Sequence, residues 1–177
     1  MKKFLFGIIF TVLVMLVGGY ICMKKGYMDF KADQQPSFLE KHFAMEAVDA
    51  STDRHAPDTK NPVPATEDNL VAGAQLYLNH CAGCHGVPSN RESQFSKSFN
   101  PPAPGFFQDM PDMAENQNFY IIEHGIRWSG MPAWNQTLSD GQVWQLVTFM
   151  SNMMKLPPKA LNVFEPAASG AAPPVVR

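Results

Sequence analysis

Two cysteines three positions apart, with a histidine directly after the second, stand in the stretch "NHCAGCHGVP" at residues 79–88. Cys81, Cys84 and His85 limit what the chain around them can become. A pair spaced this way suits a redox dithiol, half of a zinc site or a disulfide, but the order C-x-x-C-H is the attachment pattern of c-type haem. The rivals need context: a thioredoxin-like dithiol sits in a βαβ setting, and zinc needs further ligands, preferably a second cysteine pair. Neither is visible. The remaining cysteine, Cys22, lies in an apolar run, where a thiol reads as a small hydrophobe.

Three helices are legible around the motif. The first has Thr66 as N-cap and Glu67 and Asp68 in its first turn, with Leu70, Ala74, Tyr77 and Leu78 on one face, and runs into Cys81. The second is expected to start near Asp112 with Glu115 at N3, to carry Phe119, Ile122 and Ile126 inward, and to stop at Gly125. The third is capped by Ser139 with Gln142 closing a capping box, turns Val143, Leu146, Val147 and Met150 to the core, and ends at Pro157 and Pro158. No segment alternates with the period of a strand. The expected fold is all-α, over residues 66–158. Three short helices and a proline-rich loop bury little apolar surface by themselves, so a large flat apolar filler such as haem answers a need of the fold.

At the other end, Lys2 and Lys3 precede an uncharged run from Phe4 to Met23, closed by Lys24 and Lys25. Twenty helical residues span about 30 Å, the thickness of a bilayer core. That length favours a transmembrane signal-anchor over residues 1–25 against a cleaved signal, whose apolar region is shorter. Residues 26–65 read as a spacer: a juxtamembrane helix over 37–50, capped by Ser37 and Glu40 with Leu39, Phe43 and Ala47 at helical spacing, then an extended proline-rich linker. His42 and His55, with no partner ligand nearby in sequence, read as solvated. Residues 159–177 read as a disordered tail. A net charge of −2 with 17% charged residues gives no sign of a nucleic-acid binder.

A haem iron held by His85 needs a sixth ligand from elsewhere. Met131 stands apart from the other methionines because Gly130 and Pro132 give its loop "HGIRWSGMPAW" a kinked, extended backbone suited to aiming one side chain. Met150, Met153 and Met154 fall at helical spacing and read as packing residues, and Met110 and Met113 flank a helix start. His80 and His124, at helix ends, are the rival ligands.

Together, "CAGCHG" at 81–86, "NPPAPGFF" at 100–107, "GIRWSGMPAW" at 125–134 and "LSDGQVWQLVTFM" at 138–150 resemble class I, monohaem cytochrome c, in that family's order. The anchor and spacer are similar to those of bacterial membrane-tethered cytochromes c. The resemblance implies one covalent haem c on Cys81 and Cys84, with His85 proximal and Met131 distal. It implies a proline carbonyl, best matched by Pro104, that orients the proximal histidine, and Arg127 and Trp134 as donors to the haem propionates. The bland readings of those two are a surface arginine and a core tryptophan. It further implies a haem domain in the periplasm, held by a single pass through the cytoplasmic membrane. His/Met ligation leaves no open iron position and so favours one-electron transfer between membrane-associated redox proteins over catalysis. No acid/base pair or activated nucleophile stands near the motifs, so the chain itself is not expected to be an enzyme. Two alternatives remain: a gas sensor in which Met131 lets go, and an electron-transfer subunit of a dehydrogenase or oxidase complex.

Overall fold

The computed structural model describes residues 1–165, which divide into two compact units, Met1–Lys31 and a second unit beginning at Ala32. The first is one helix, α1 (Lys2–Lys24), whose apolar side chains are exposed all round. It is long and apolar enough to cross a membrane. A helix apolar on every side needs an apolar solvent, which a bilayer provides.

The second unit is helical, with no strands among the described residues. In chain order it contains α2 (Phe38–His55), α3 (Glu67–His80), α4 (Ala82–His85), a 3₁₀ turn at Phe95–Ser98, α5 (Glu115–His124), α6 (Asp140–Ser151), a 3₁₀ turn at Met153–Lys155 and α7 (Pro158–Asn162). Side-chain caps define three of the starts. Thr66 accepts from the Asn69 N–H, and Ser37 with Glu40 and Ser139 with Gln142 complete capping boxes.

The core is the crossing of α3 and α6. Leu70, Ala74 and Tyr77 bury their side chains, as do Val143, Leu146, Val147 and Phe149. Gly73 makes the approach close, because a Cβ there would stand 2.6 Å from both the Gln145 carbonyl oxygen and the Phe149 Cβ. On the other side of α6, Phe119 of α5 stacks on Trp144 with ring centroids 4.2 Å apart. Phe107, Phe149 and Phe164 surround the Tyr77 ring. The expected inward residues of α6 are all buried. Of those on α5, Phe119 and Ile122 are buried and Ile126 is half-buried.

Four expectations need correction. The helix expected from Asp112 starts at Glu115, with Ala114 as a cap that has no side-chain oxygen. The Asn118 amide donates to the Met113 carbonyl and pins that residue outside the helix, while Gln117 accepts from the Ala114 N–H. The 37–50 helix continues to His55, and the linker after it is docked on the domain. Thr52 is buried, the Gln117 amide donates to Asp53, and Asn116 donates to the Pro57 carbonyl. Further on, the Asn61 amide and the Val63 carbonyl both bond the Thr148 hydroxyl on α6. The tail expected from residue 159 begins with helix α7, and Ala160 and Phe164 are buried; residues 166–177 of that expected tail lie outside the described residues. Pro157 and Pro158 act here as N-cap and N1, positions that tolerate a missing N–H, so they open a helix as well as follow one. Finally, Met154 is exposed, because α6 gives way to a 3₁₀ turn that breaks the helical spacing.

Candidate haem site

Cys81 is the C-cap of α3, its N–H bonded to the Tyr77 carbonyl. The next turn, α4, is closed by the N–H groups of Cys84 and His85, both bonded to the Cys81 carbonyl at 3.1 and 2.9 Å. Residues three apart on such a turn share a side, so the two sulfurs are placed to serve one object. They are not joined to each other. Burial, reinforced by Cys84, pushes the Cys81 thiol up to about 12, and burial raises Cys84 as well. A redox dithiol needs a low-pKa thiolate, so these are poor residues for that chemistry. Tyr77, whose hydroxyl donates to the Gly86 carbonyl at 3.0 Å, ties the base of α3 to the end of the motif.

His85 is buried, and its Nδ1 lies 2.8 Å from the Pro104 carbonyl oxygen. A carbonyl only accepts, so Nδ1 carries the proton and Nε2 keeps a lone pair. Among the described residues, no hydrogen bond engages Nε2. Burial holds the ring below its ordinary pKa, against the smaller opposing effect of the Pro104 bond, so the imidazole is neutral at neutral pH. Phe106 lies flat on the ring at 4.1 Å, nearly parallel, and its N–H bonds the His85 carbonyl.

The loop after α5 is equally fixed. Gly125 ends the helix at φ 67, and a Cβ there would stand 2.6 Å from the Pro132 carbonyl carbon, so the returning chain passes against the turn. Ile126 N–H bonds the Met131 carbonyl, the Ser129 hydroxyl donates to the Ile126 carbonyl, and the Met131 N–H bonds the Ser129 hydroxyl. Trp134 and Asn135 then bond back to the carbonyls of Ile122 and Glu123. Met131 is half-buried against the same core that Cys81, Phe106 and Trp134 border.

The sequence-expected residues are thus distributed unevenly. Cys81, Cys84, His85 and Pro104 form one knot, and Met131 and Trp134 border the same core from the loop after α5. Arg127 is exposed on that loop with no ionic partner among the described residues. His80 packs edge-on against Trp134 at 5.0 Å, and His124 is exposed beside Glu123. Phe106 and the Tyr77 hydroxyl escaped the sequence reading; the aromatic pair in "APGFF" was the available signal for the first. Among the described residues, no cluster of His, Cys, Asp and Glu could hold a bare metal ion. The donors present are a pair of unjoined thiols, a neutral imidazole with a free nitrogen and a thioether. They fit haem c.

Residues 68–150 match the family model described as cytochrome C oxidase, cbb3-type, subunit III. This segment is a c-type cytochrome domain. Its cofactor is haem c, covalently bound, and its business is haem-based electron transfer. The matched span takes in α3 to α6, including the C-x-x-C-H turn, Pro104 and the Met131 loop. No curated protein matches the chain.

Proposed function

We propose that the chain is a membrane-anchored electron carrier of the class I, monohaem type, passing single electrons between membrane-associated redox proteins. Cys81 and Cys84 form the two thioethers, His85 is the proximal ligand through Nε2, and Met131 is the distal ligand. Bound there, haem c supplies a one-electron iron couple, and a thioether ligand keeps its potential high. The observation that carries this reading is the 2.8 Å bond from His85 Nδ1 to the Pro104 carbonyl, which fixes tautomer and ring angle before the metal arrives. The bonded 126–131 loop supports the second ligand, since a rigid loop holds a thioether without side-chain reorganisation. Arg127 and Trp134 flank that loop as candidate donors to the haem propionates. The haem domain faces the periplasm, with α1 as its single membrane pass.

Haem staining that survives denaturing electrophoresis, lost in Cys81→Ala/Cys84→Ala, tests attachment. Carbon monoxide tests the ligand set: the reduced wild-type protein should not bind it, whereas Met131→Ala should. Binding by the wild type would favour the gas-sensor alternative, and an unchanged Met131→Ala spectrum and potential would mean that another residue ligates.

A further inference from the structure

Two phenylalanines follow Pro104 and Gly105, and their rings go to different places. Phe107 is buried in the core, edge-on to Tyr77 at 5.7 Å. Phe106 is half-buried and lies on the imidazole of His85, with ring centroids 4.1 Å apart and planes within 6° of parallel. Aromatic pairs adopt edge-on and stacked arrangements alike. A parallel pair at contact distance is the one in which neither ring tilts without meeting the other.

The backbone enforces the stack. The Phe106 N–H bonds the His85 carbonyl at 3.2 Å, two residues after the Pro104 carbonyl that accepts from His85 Nδ1 at 2.8 Å. Segment 104–106 therefore grips residue 85 by main chain, by side chain and by ring face. The segment is itself held. A Cβ on Gly105 would clash with the Arg91 carbonyl oxygen, and one on Gly86 would stand 2.6 Å from the same oxygen, so Arg91 packs against both strands of the knot. The Gly105 carbonyl accepts from the N–H groups of Gln108 and Asp109, both at 2.9 Å.

The Pro104 bond leaves one freedom open. It aims the Nδ1 edge, but a single hydrogen bond tolerates a broad range of angles, so the ring plane can still tilt about that edge. A metal bonded to Nε2 lies in the ring plane, so such a tilt would move the donor atom and turn the imidazole over the iron. A phenyl flat on the ring face opposes the tilt and leaves the Nε2 edge clear.

We propose that Phe106 is a positioning residue for the proximal histidine: its face fixes the plane of the His85 imidazole over the haem iron, completing what the Pro104 carbonyl begins. This inference rests on the reading of His85 as the proximal ligand. A ligand plane held from two directions needs little rearrangement when the iron gains or loses its electron, which suits a one-electron carrier. Ligation strengthens the stack, because a metal draws electron density from the imidazole and an electron-poor ring favours the negative face of a phenyl.

The test is nuclear magnetic resonance on the full-length, haem-loaded protein in detergent micelles, as wild type, Phe106→Leu, Phe106→Tyr and Phe107→Leu. In the reduced, diamagnetic wild type, the Phe106 ring protons should show nuclear Overhauser contacts to the His85 ring. Their absence overturns the proposal, whether or not the variants fold. In the oxidised protein, the four haem methyl shifts follow the plane of the axial imidazole. Leucine is apolar but has no flat face, so Phe106→Leu should change the spread of those shifts. Phe106→Tyr keeps the face and should keep the wild-type pattern. Phe107→Leu loosens the core instead, and should lower the melting temperature with the pattern unchanged. A wild-type pattern in Phe106→Leu overturns the proposal. So does the same change in Phe106→Tyr, which makes side-chain fit responsible rather than the ring face, and so does the same change in Phe107→Leu, which makes general loosening responsible. Failure of the underlying ligand reading shows separately, as a wild type without the strongly shifted ring protons of an iron-bound histidine.

Discussion

Replacing Gly73 by alanine tests whether the crossing of α3 and α6 sets the frame for the haem motif. In an exposed helix the change would be favourable by about 1 kcal/mol, since glycine is the poorer helix former. Here the added methyl stands 2.6 Å from a backbone oxygen of α6 and from the Cβ of Phe149, atoms that cannot swing aside as a long side chain would. Overpacking of this kind costs roughly 1–3 kcal/mol, and two rigid neighbours place it at the upper end. The net is a loss of about 2 kcal/mol. At roughly 4–8 °C per kcal/mol for a domain of this size, the melting temperature should fall by about 8–16 °C. Gly141, in the first turn of α6, has nothing within 4 Å of its Cβ position and is the matched control. Gly141→Ala should be neutral or stabilising by about 0.5 kcal/mol. Thermal unfolding, followed by far-ultraviolet circular dichroism and by haem absorbance, separates the two variants. If Gly73→Ala melts at or above wild type, alongside Gly141→Ala, the helices part freely and the close crossing does not hold α3 in place.

Other expectations concern the motif, the anchor and the partner. Tyr77→Phe leaves the buried Gly86 carbonyl without its donor and should cost about 1–3 kcal/mol, read as a lower denaturation midpoint with an unchanged m-value. Deleting residues 1–25 and supplying a cleavable signal should release a soluble, haem-loaded domain; a deletion form that still pellets with membranes would contradict α1 as the anchor. Residues 66–158 carry four basic and eight acidic side chains, a net of −4, with Asp109, Asp112 and Glu115 close together before and in the first turn of α5. Such charges are individually weak but together steer encounter, so reduction of the protein by a partner with a basic patch should slow as ionic strength rises. A flat or rising rate would assign docking to apolar contacts alone.

What could be read in the sequence was what the chain states locally. Thr66, Ser37 and Ser139 cap the helices they were expected to cap, because a cap and its donor are three residues apart and the signal lies within one turn. The C-x-x-C-H turn is local in the same sense. The start of α5 was misplaced although an acidic residue stood where a cap belongs, because the Asn118 side chain competes for the Met113 carbonyl and no propensity scale weighs one side chain against another. The docked linker was invisible for a different reason. Asn61 and Thr148 are 87 positions apart and polar, so their bond leaves no periodic trace on either segment. Phe164 was lost behind two prolines, which punctuate a sequence without saying on which side the helix lies. Pro104 stood among neighbouring prolines that any pattern would accept, and only the fold decides which carbonyl reaches His85. Trp128, at φ 60, goes furthest beyond the pattern, because the rule that reserves positive φ for glycine and asparagine points away from it. Local rules describe what a chain prefers in isolation. A residue that breaks one is held in place by its neighbours, here by the bonds of Ser129 to Ile126 and Met131.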